Sequence, residues 1–459
     1  MRFPLLAAMA LMGVLLAGCV DEDEPAGAQD GQENLWTPGN KSHPAYGYPV
    51  TDDLPLWNET VSNLPAHWKQ IPAHPLPDEI SSLQWRGNVA GAGSGAGISI
   101  FGTTMVAGNF GGLGIPGTQG GENDVMVLDI MDPGQPIISG RSNEGNAGDT
   151  DFIAYPDGTL VAVTSTRGST MLVFNVTDTA NPYLMSIIDT PNGNHNHAVV
   201  PGTPLVYNNP SDGAGGNNDI WDLSDPENPV LVNDWNNGYG CHASSFFIDV
   251  ERELYRGYCA GIEMTQIWDI TDPVHPEVIT TIPWPGLGDD SGTVGSIGTV
   301  SFSHLAMVNH DASVLIVGDE TGGGVAPGCD AYAEIPGTGM TTTGPLGNLW
   351  FYDITDETNP VLHGAYSPAA WEQRGSCTAH FGGVIDDTNH LVMAYYTAGV
   401  ALVDFTDLDN PRAVDLWQRD DGELPGLPCT ACGVWDVWYY NGYVYTGDID
   451  RGLDVLTIE

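Results

Sequence analysis

The chain has 459 residues, of which 59 are Gly and 33 are Pro, and only 15% are charged. Gly and Pro together make up roughly a fifth of the sequence, which excludes a coiled coil or a helical bundle and is typical of short strands joined by tight turns. With 59 Asp and Glu against 12 Lys and Arg, the formal net charge is −47. This charge disfavours nucleic acid or an anionic membrane surface as a partner, and it suits a surface that faces salty water or collects cations.

Residues 1–19 are predicted to be a lipoprotein signal peptide. Arg2 precedes an apolar run from Leu5 to Leu16, which is too short to span a bilayer. The small residues before Cys19 resemble a prokaryotic lipobox, which implies that Cys19 is lipidated; an ordinary signal peptide with a chance cysteine is the alternative. The acidic residues 20–34 predict a flexible tether. We therefore expect the protein at the extracellular face of the cytoplasmic membrane or at the cell surface, held only by this lipid.

A motif recurs through most of the remaining chain. An apolar strand ends in Asp or Asn, a short turn carries a second Asp, and usually Asn-Pro leads into another apolar strand. The anchor residues of the repeat are Asp129, Asn175, Asp222, Asp269, Asp353, Asp404 and Asp454. They are separated by 46, 47, 47, 84, 51 and 50 residues, and a step near 47 fits one four-stranded propeller blade. Residues 81–459 are therefore predicted to form an all-β, seven-bladed β-propeller.

The two ends of the repeat array predict how the ring closes. The seventh repeat stops at the C-terminus before its fourth strand, and residues 82–89 can supply that strand. Such pairing would remove the exposed sheet edges. The long step of 84 residues is interpreted as one blade with inserted loops at 283–300 and 321–347. The Trp- and Pro-rich residues 35–80 are predicted to be an extended segment packed on the propeller.

The aspartates of the repeat are interpreted as structural residues. Asp and Asn side chains accept hydrogen bonds from the backbone two residues further on, and Pro fixes φ where the next strand begins. Binding of calcium by these carboxylates is the alternative.

Several strings carry a family resemblance. LVFNVTD, IWDITDP, ALVDFTD and the closing GDIDRGLDVLTIE resemble the LVIVD-repeat proteins, a group of prokaryotic surface β-propellers. GCHASSF and FSHLAMVNHDASVLIVGDE are similar to the choice-of-anchor branch of that group. The resemblance covers about residues 87–459. It implies a propeller lipoprotein at the cell surface, and it implies no particular reaction.

Histidines recur where the first strand of each blade begins. Aligning these strand starts places six residues at one equivalent position near the channel: Asp151, His197, His242, His304, His380 and Asp436. Four more residues are expected on the same face: His195, Asp319, Glu320 and Asp448. Imidazoles and carboxylates that converge near an axis can bind Zn, Cu or Fe, and a neutral His can act as an acid or base. The alternative is structural, with these side chains bonded to neighbouring backbone and water filling the channel.

The cysteines favour an oxidising compartment. Cys241 and Cys259 are equidistant from the turn of a predicted hairpin, so we expect them to form a disulfide. We pair the other four as Cys329–Cys377 and Cys429–Cys432. A Cys-x-x-Cys motif can also serve redox chemistry or bind metal, but no predicted helix follows this one, which argues against a thioredoxin-like role.

The sequence leaves three functional hypotheses. The first is an anchored extracellular binding module that uses the histidine-lined face and the inserted loops, acts as a monomer and binds an extracellular protein or glycan. The second is a metal-dependent oxidoreductase, with copper as a candidate metal, and the third is a structural surface-layer component. No cofactor is certain; a transition metal or calcium is the candidate. Motifs typical of hydrolases or kinases are absent from the sequence.

Overall fold

The computed structural model describes most of the chain after residue 72. The described residues are 73–89, 97–108, 125–145, 148–155, 157–166, 168–211, 216–249, 252–283, 302–320, 334–335, 340–341, 347–368, 378–419, 433–449 and 451–459. These residues form thirty strands and no helix. None of them therefore belongs to a helix that could cross a membrane.

The strands form seven antiparallel sheets of four strands and one small hairpin. The first strand is β1 (Leu83–Val89). Blade I contains β2 (Ile98–Phe101), β3 (Thr104–Gly108), β4 (Val125–Asp129) and β5 (Ile137–Ser142). Blade II contains β6 (Thr150–Ala154), β7 (Leu160–Ser165), β8 (Thr170–Asn175) and β9 (Tyr183–Asp189). Blade III contains β10 (Asn196–Val199), β11 (Leu205–Asn209), β12 (Asn218–Asp222) and β13 (Val230–Trp235). Blade IV contains β14 (Ala243–Asp249), β15 (Leu254–Ala260), β16 (Met264–Asp269) and β17 (Glu277–Pro283).

The remaining blades follow the same order. Blade V contains β18 (Ser303–Val308), β19 (Val314–Asp319), β22 (Leu349–Asp353) and β23 (Val361–Tyr366). The hairpin of β20 (Glu334–Ile335) and β21 (Met340–Thr341) interrupts it. Blade VI contains β24 (Gly382–Val384), β25 (His390–Ala394), β26 (Val400–Asp404) and β27 (Arg412–Trp417). Blade VII contains β28 (Val434–Tyr440), β29 (Tyr443–Asp448), β30 (Gly452–Ile458) and β1. The predicted seven-bladed propeller is confirmed.

The ring closes through β1, as the sequence predicts. β1 pairs antiparallel with β30, from Leu83 opposite Ile458 to Val89 opposite Leu453. Asp454 does not end its strand, in contrast to the other anchors of the repeat, but lies within β30. There its carboxylate accepts hydrogen bonds from the Trp85 indole at 3.0 Å and the Arg419 guanidinium at 2.7 Å. It therefore joins β1 and blade VI to the closing strand.

The turn aspartates stabilise the turns themselves. In each of the first six repeats the side-chain oxygen of the anchor residue accepts a hydrogen bond from the backbone two residues on: Asp129, Asn175, Asp222, Asp269, Asp353 and Asp404. These bonds are 2.7–3.0 Å long. Such local bonds are the reason Asp and Asn are favoured in turns. The geometry supports the structural interpretation of these residues.

The core lies between the blades. The described residues form seven hydrophobic clusters, one at each interface between neighbouring blades. The first three strands of each blade are mostly buried on both faces, which explains their apolar runs, such as residues 125–128 of β4 in blade I. Close approach of backbones adds to this packing. A Cβ on Gly140 of β5 would lie 2.3 Å from the Thr179 carbonyl oxygen in the turn of blade II, so only glycine fits there.

The hairpin disulfide is confirmed. Cys241 and Cys259 are bonded, with their Cα atoms 5.5 Å apart, and both are buried in the cluster between blades III and IV. The other predicted pairs, Cys329–Cys377 and Cys429–Cys432, lie outside the described residues.

The N-terminal extension is described only near the propeller. In residues 73–80, the His74 N–H donates to the Asn441 carbonyl at 2.8 Å, and Leu76 and Ile80 pack against the cluster between blades VI and VII. Residues 1–72, including the predicted signal peptide, Cys19 and the tether, lie outside the described residues. So do most of the inserted loops at 283–300 and 321–347, apart from Pro283, the β20–β21 hairpin and Gly347.

Candidate metal centre

Four imidazoles from successive blades lie side by side. His195 of blade III, His242 of blade IV, His304 of blade V and His380 of blade VI form this group, which we call the histidine row. The centroids of neighbouring rings are 4.2, 4.4 and 4.0 Å apart in that order. His242, His304 and His380 are buried, and His195 is half-buried. Histidines of four successive blades therefore lie next to one another.

The backbone places these histidines at corresponding positions. The N–H groups of His195, His242 and His380 donate to the last carbonyls of the second strands, those of Asn209, Ala260 and Ala394, at 2.7–3.0 Å. In blade V the ladder steps from Ser303 to Leu305, so His304 sits in a β-bulge. A bulge turns one extra side chain away from the regular alternation of its strand. His304 thereby joins the row although it lies inside β18.

His195, and not His197, is the member of the row from blade III. The alignment of the strand starts places His197 at this position, but in the structure His197 is the second residue of β10. His197 is fully buried, and its ring faces the Val163 backbone of blade II. Burial lowers the pKa of His197 to about 3, against a smaller opposing effect of the Val163 backbone. Its imidazole is therefore neutral and belongs to the packing between blades II and III.

Asp151 and Asp436 also lie outside the row, in contrast to the sequence alignment. Asp151 Oδ2 accepts the Val199 N–H at 2.7 Å, which joins blade II to blade III. Asp436 Oδ2 accepts the Ile98 N–H at 2.8 Å, which joins blade VII to blade I. We call this pair the inter-blade aspartates. Burial raises the pKa of Asp151 well above its usual value, although its bonds from Val199 and Phe152 act in the opposite direction.

The positions that correspond to the histidine row carry other residues in blades II and VII. Gly148 makes the corresponding backbone bond, to the Ser165 carbonyl at 2.6 Å. In blade VII a second bulge, between Val434 and Asp436, places Trp435 there. The Trp435 ring lies 4.0 Å from that of His380, so the indole continues the row where the imidazoles end.

Glu320 brings a carboxylate to the row. It directly follows β19, and its Oε2 lies 3.5 Å from His304 Nε2, while its Oε1 lies 3.7 Å from His380 Nε2. Potential ligand atoms of His242, His304 and Glu320 all lie within 4.8 Å of one another, and all three residues are buried. The Tyr396 hydroxyl donates a hydrogen bond to Glu320 Oε1.

The other two predicted carboxylates have different roles. Asp319 Oδ1 accepts the Phe302 N–H at 2.9 Å, at the start of blade V. Asp448 forms an ion pair with Arg451, 2.6 Å between Oδ2 and Nη2. Of the ten predicted site residues, the structure thus brings together five: His195, His242, His304, His380 and Glu320.

Aromatic rings that the sequence did not single out enclose the cluster. Phe302 packs edge-on against His242 at 5.1 Å, and Tyr396 packs edge-on against His380 at 5.3 Å. Phe381 packs edge-on against His380 at 4.5 Å. Three of these aromatic residues lie within two positions of a predicted site residue in the sequence: Phe302, Phe381 and Trp435. This proximity is the only feature of the sequence that could have pointed to them. Tyr396 had none.

The donor set fits a transition-metal ion. Imidazole nitrogen and carboxylate oxygen are the usual ligands of Zn, Cu and Fe. In a tetrahedral site with bonds of about 2.1 Å, the ligand atoms lie about 3.4 Å apart. The 3.5 Å between His304 Nε2 and Glu320 Oε2 is close to that spacing. A potential ligand atom of His242 lies within 4.8 Å of both.

Comparisons with known proteins bear on the fold alone. No protein-family model matches the chain, and no curated protein matches it. Among solved structures, the chain is similar to the crystal structure of Chaetomium thermophilum Raptor, with 11% identity and a TM-score of 0.51. The match covers 82% of this chain and 29% of the Raptor chain, so this protein corresponds to less than a third of that one. At this identity the likeness supports the β-propeller architecture and carries no statement about activity.

Proposed function

We propose that the protein is a surface-anchored extracellular binding module whose histidine-lined face holds a transition-metal ion. The observation that carries this proposal is the convergence of His242, His304 and Glu320, whose potential ligand atoms lie within 4.8 Å of one another in a buried position. A β-propeller is a fold consistent with a binding or interaction module. His380 lies next in the row and is the fourth candidate ligand.

The electrostatics of the cluster favour a bound cation. A buried carboxylate is costly unless a positive charge or hydrogen bonds compensate it. One protonated imidazole would offset the charge of Glu320, but two protonated neighbours, with ring centroids 4.0–4.4 Å apart, would repel one another. One divalent ion supplies the positive charge while every imidazole stays neutral, the form in which histidine binds metal. The net charge of −47 also raises the local concentration of cations.

The donor chemistry selects the class of ion. Imidazole nitrogens favour Zn, Cu or Fe, whereas calcium and magnesium prefer oxygen ligands. When bound, such an ion would supply a Lewis-acidic centre at this end of the propeller channel. The ordered row of protein ligands would fix its position, and the surrounding rings of Phe302 and Trp435 would exclude water from it.

The partner of the module follows from its expected location. The lipobox-like Cys19 and the acidic surface support a protein that stands outside the cell and meets an extracellular protein or glycan. Both inserted loops attach to the propeller next to the histidine row, which supports the face around the row as the recognition surface. Phe302 follows the first loop and Glu320 precedes the second, and both contact the histidine row.

A metal-dependent oxidoreductase is the second candidate. The observation that favours it is the contact of two oxidisable rings, Trp435 and Tyr396, with His380 at 4.0 and 5.3 Å. A copper-loaded protein with this activity would show a reversible copper redox couple and consume an oxidant with a reducing substrate. A binding module would hold the metal without turnover.

The test of the proposed function is metal content. The protein without residues 1–19 is produced without a polyhistidine tag, purified without chelators and analysed by inductively coupled plasma mass spectrometry. We expect about one equivalent of Zn, Cu or Fe in the parent and none in a His242→Ala/His304→Ala double variant. The matched control is His275→Ala/His363→Ala, which removes two exposed histidines paired with turn aspartates. Equal metal content in all three proteins, or no metal in any, would overturn the proposal.

A further inference from the structure

We infer that Tyr396 is a positioning residue of this site, which makes Glu320 bind the metal ion through Oε2 alone. The inference rests on the proposed function and adds to it how the carboxylate coordinates. Its basis is the hydrogen bond that the Tyr396 hydroxyl donates to Glu320 Oε1.

The two oxygens of Glu320 have different surroundings. Oε1 accepts the phenol hydrogen of Tyr396, and it lies 3.7 Å from His380 Nε2. Oε2 lies 3.5 Å from His304 Nε2, toward the centre of the histidine row. A phenol that donates to one carboxylate oxygen orients the group and lowers the electron density available on that oxygen. Oε2 is therefore the oxygen presented to an ion held by His242 and His304.

The backbone around Tyr396 holds the phenol in place. Tyr396 has a φ of 49°, in the left-handed region that non-glycine residues seldom adopt. Its N–H donates to the Val434 carbonyl at 3.0 Å, and its carbonyl accepts the Val434 N–H at 2.9 Å, so blade VI is fastened to blade VII at this point. Unusual backbone conformations that the surroundings maintain tend to occur at functional sites.

Gly433, which directly precedes Val434, shows how closely blades VI and VII approach each other at Tyr396. A Cβ on Gly433 would lie 2.4 Å from the Tyr396 carbonyl carbon and oxygen, so only glycine allows the approach. The Tyr396 ring also packs edge-on against His380 at 5.3 Å and Trp435 at 5.7 Å. Backbone, ring and hydroxyl thus all connect Tyr396 to the cluster.

Single-oxygen binding has a chemical consequence. With one oxygen from Glu320 and nitrogens from the histidine row, the ion reaches the four-coordinate geometry typical of zinc. Without the phenol, Oε1 is free to bind the ion as well, and the coordination number rises. Partners of this kind, which contact a ligand and not the metal, typically change metal affinity by about 10–100-fold when removed.

The experiment compares Tyr396→Phe with Tyr395→Phe. Both residues are fully buried, but the Tyr395 ring packs against Tyr366 and not against the histidine row. Zinc affinity is measured by competition with a chromophoric chelator, and the zinc coordination shell by X-ray absorption fine structure. We expect Tyr396→Phe to bind zinc about 10–100-fold more weakly with an added oxygen scatterer, and Tyr395→Phe to match the parent.

The outcomes separate this inference from the proposed function. If the parent binds no transition metal, both fail. If the parent binds zinc and Tyr396→Phe has the same affinity and coordination shell, only the role of Tyr396 fails. If circular dichroism shows that Tyr396→Phe does not fold, the infrared carboxylate bands of the zinc-loaded parent decide, with Glu320→Gln used to assign them. A wide splitting typical of one-oxygen binding supports the inference, and a narrow splitting typical of chelation overturns it.

Discussion

Two groups of blades use polar residues in different ways. In blades III to VI, four imidazoles and Glu320 face one another across ring distances of 4.0–4.4 Å. In blades VII, I and II, the inter-blade aspartates Asp151 and Asp436 bond the backbone of the next blade instead. A polar residue at the start of an inner strand thus either lies beside its counterparts from other blades or bonds two neighbouring blades together. The direction of its side chain decides which.

The largest expected difference between the two groups of blades is in metal binding. Glu320→Gln keeps the size of the side chain and an acceptor for the Tyr396 hydroxyl, but it removes the charged ligand. We expect zinc affinity to fall by about a hundredfold or more, since a ligand contributes more than its outer partners do. Isothermal competition titrations measure this effect. The comparison between the two groups fails if Asp151→Asn weakens zinc binding as much as Glu320→Gln does.

The next largest effect is expected on stability, and in the other group of blades. Asp151 accepts two backbone N–H groups, from Phe152 and Val199, each at 2.7 Å. An asparagine has only one acceptor oxygen for them, so Asp151→Asn leaves a buried donor without its partner. We expect the free energy of unfolding to fall by about 1–3 kcal/mol in urea titrations. If Glu320→Gln lowers the free energy of unfolding by the same amount in the presence of chelator, the structural role is not particular to the inter-blade aspartates.

The buried His197 gives the packing between blades II and III a dependence on pH. Its pKa is about 3 in the folded protein, below the usual 6.5, so the unfolded chain binds a proton that the folded chain does not. This contribution is fully present above pH 6.5 and is lost as the pH falls toward 3, by about 1.4 kcal/mol per pH unit. Urea titrations of the parent and His197→Gln, both with chelator, measure it. Parallel curves between pH 6.5 and 4 would contradict the burial of this imidazole.

The smallest expected effect concerns the turns. Asp129 accepts the Met131 N–H at 2.7 Å, and asparagine can accept the same bond. We expect Asp129→Ala to lower the free energy of unfolding by about 1 kcal/mol and Asp129→Asn to lower it less. Added calcium should not change either difference. A stabilisation of the parent by calcium that both variants lose would favour the alternative in which the turn carboxylates bind this ion.

Much of the fold could be predicted because the chain repeats itself. The spacing of the turn residues gives the number of blades, and the missing fourth strand of the last repeat identifies residues 82–89 as the closing strand. The disulfide between Cys241 and Cys259 was also predicted from the hairpin, although the two residues are not direct partners across it: the register pairs Cys259 with Ser244, and Cys241 lies just before β14. Local turn chemistry and hydrophobic periodicity agree along the whole array.

The site was only partly predictable, because its geometry depends on backbone details that the sequence does not display. His195 and not His197 belongs to the row, because its backbone N–H bonds the last carbonyl of the second strand, as those of His242 and His380 do. The spacing of histidines in the sequence does not show this. Bulges at His304 and Trp435 bring in side chains that a regular strand would turn away. Tyr396 reaches Glu320 from another blade, 76 residues further along the chain. Contacts between distant repeats of this kind leave no trace in the repeat itself.

The metal site is tested most directly by anomalous diffraction from crystals of the protein without residues 1–19 grown with zinc, with data collected above and below the zinc absorption edge. We expect a strong anomalous peak among His242, His304 and Glu320, with bonds of about 2.0–2.2 Å to their ligand atoms. A histidine row without a peak, while zinc occupies only exposed histidines or turn carboxylates, would contradict it.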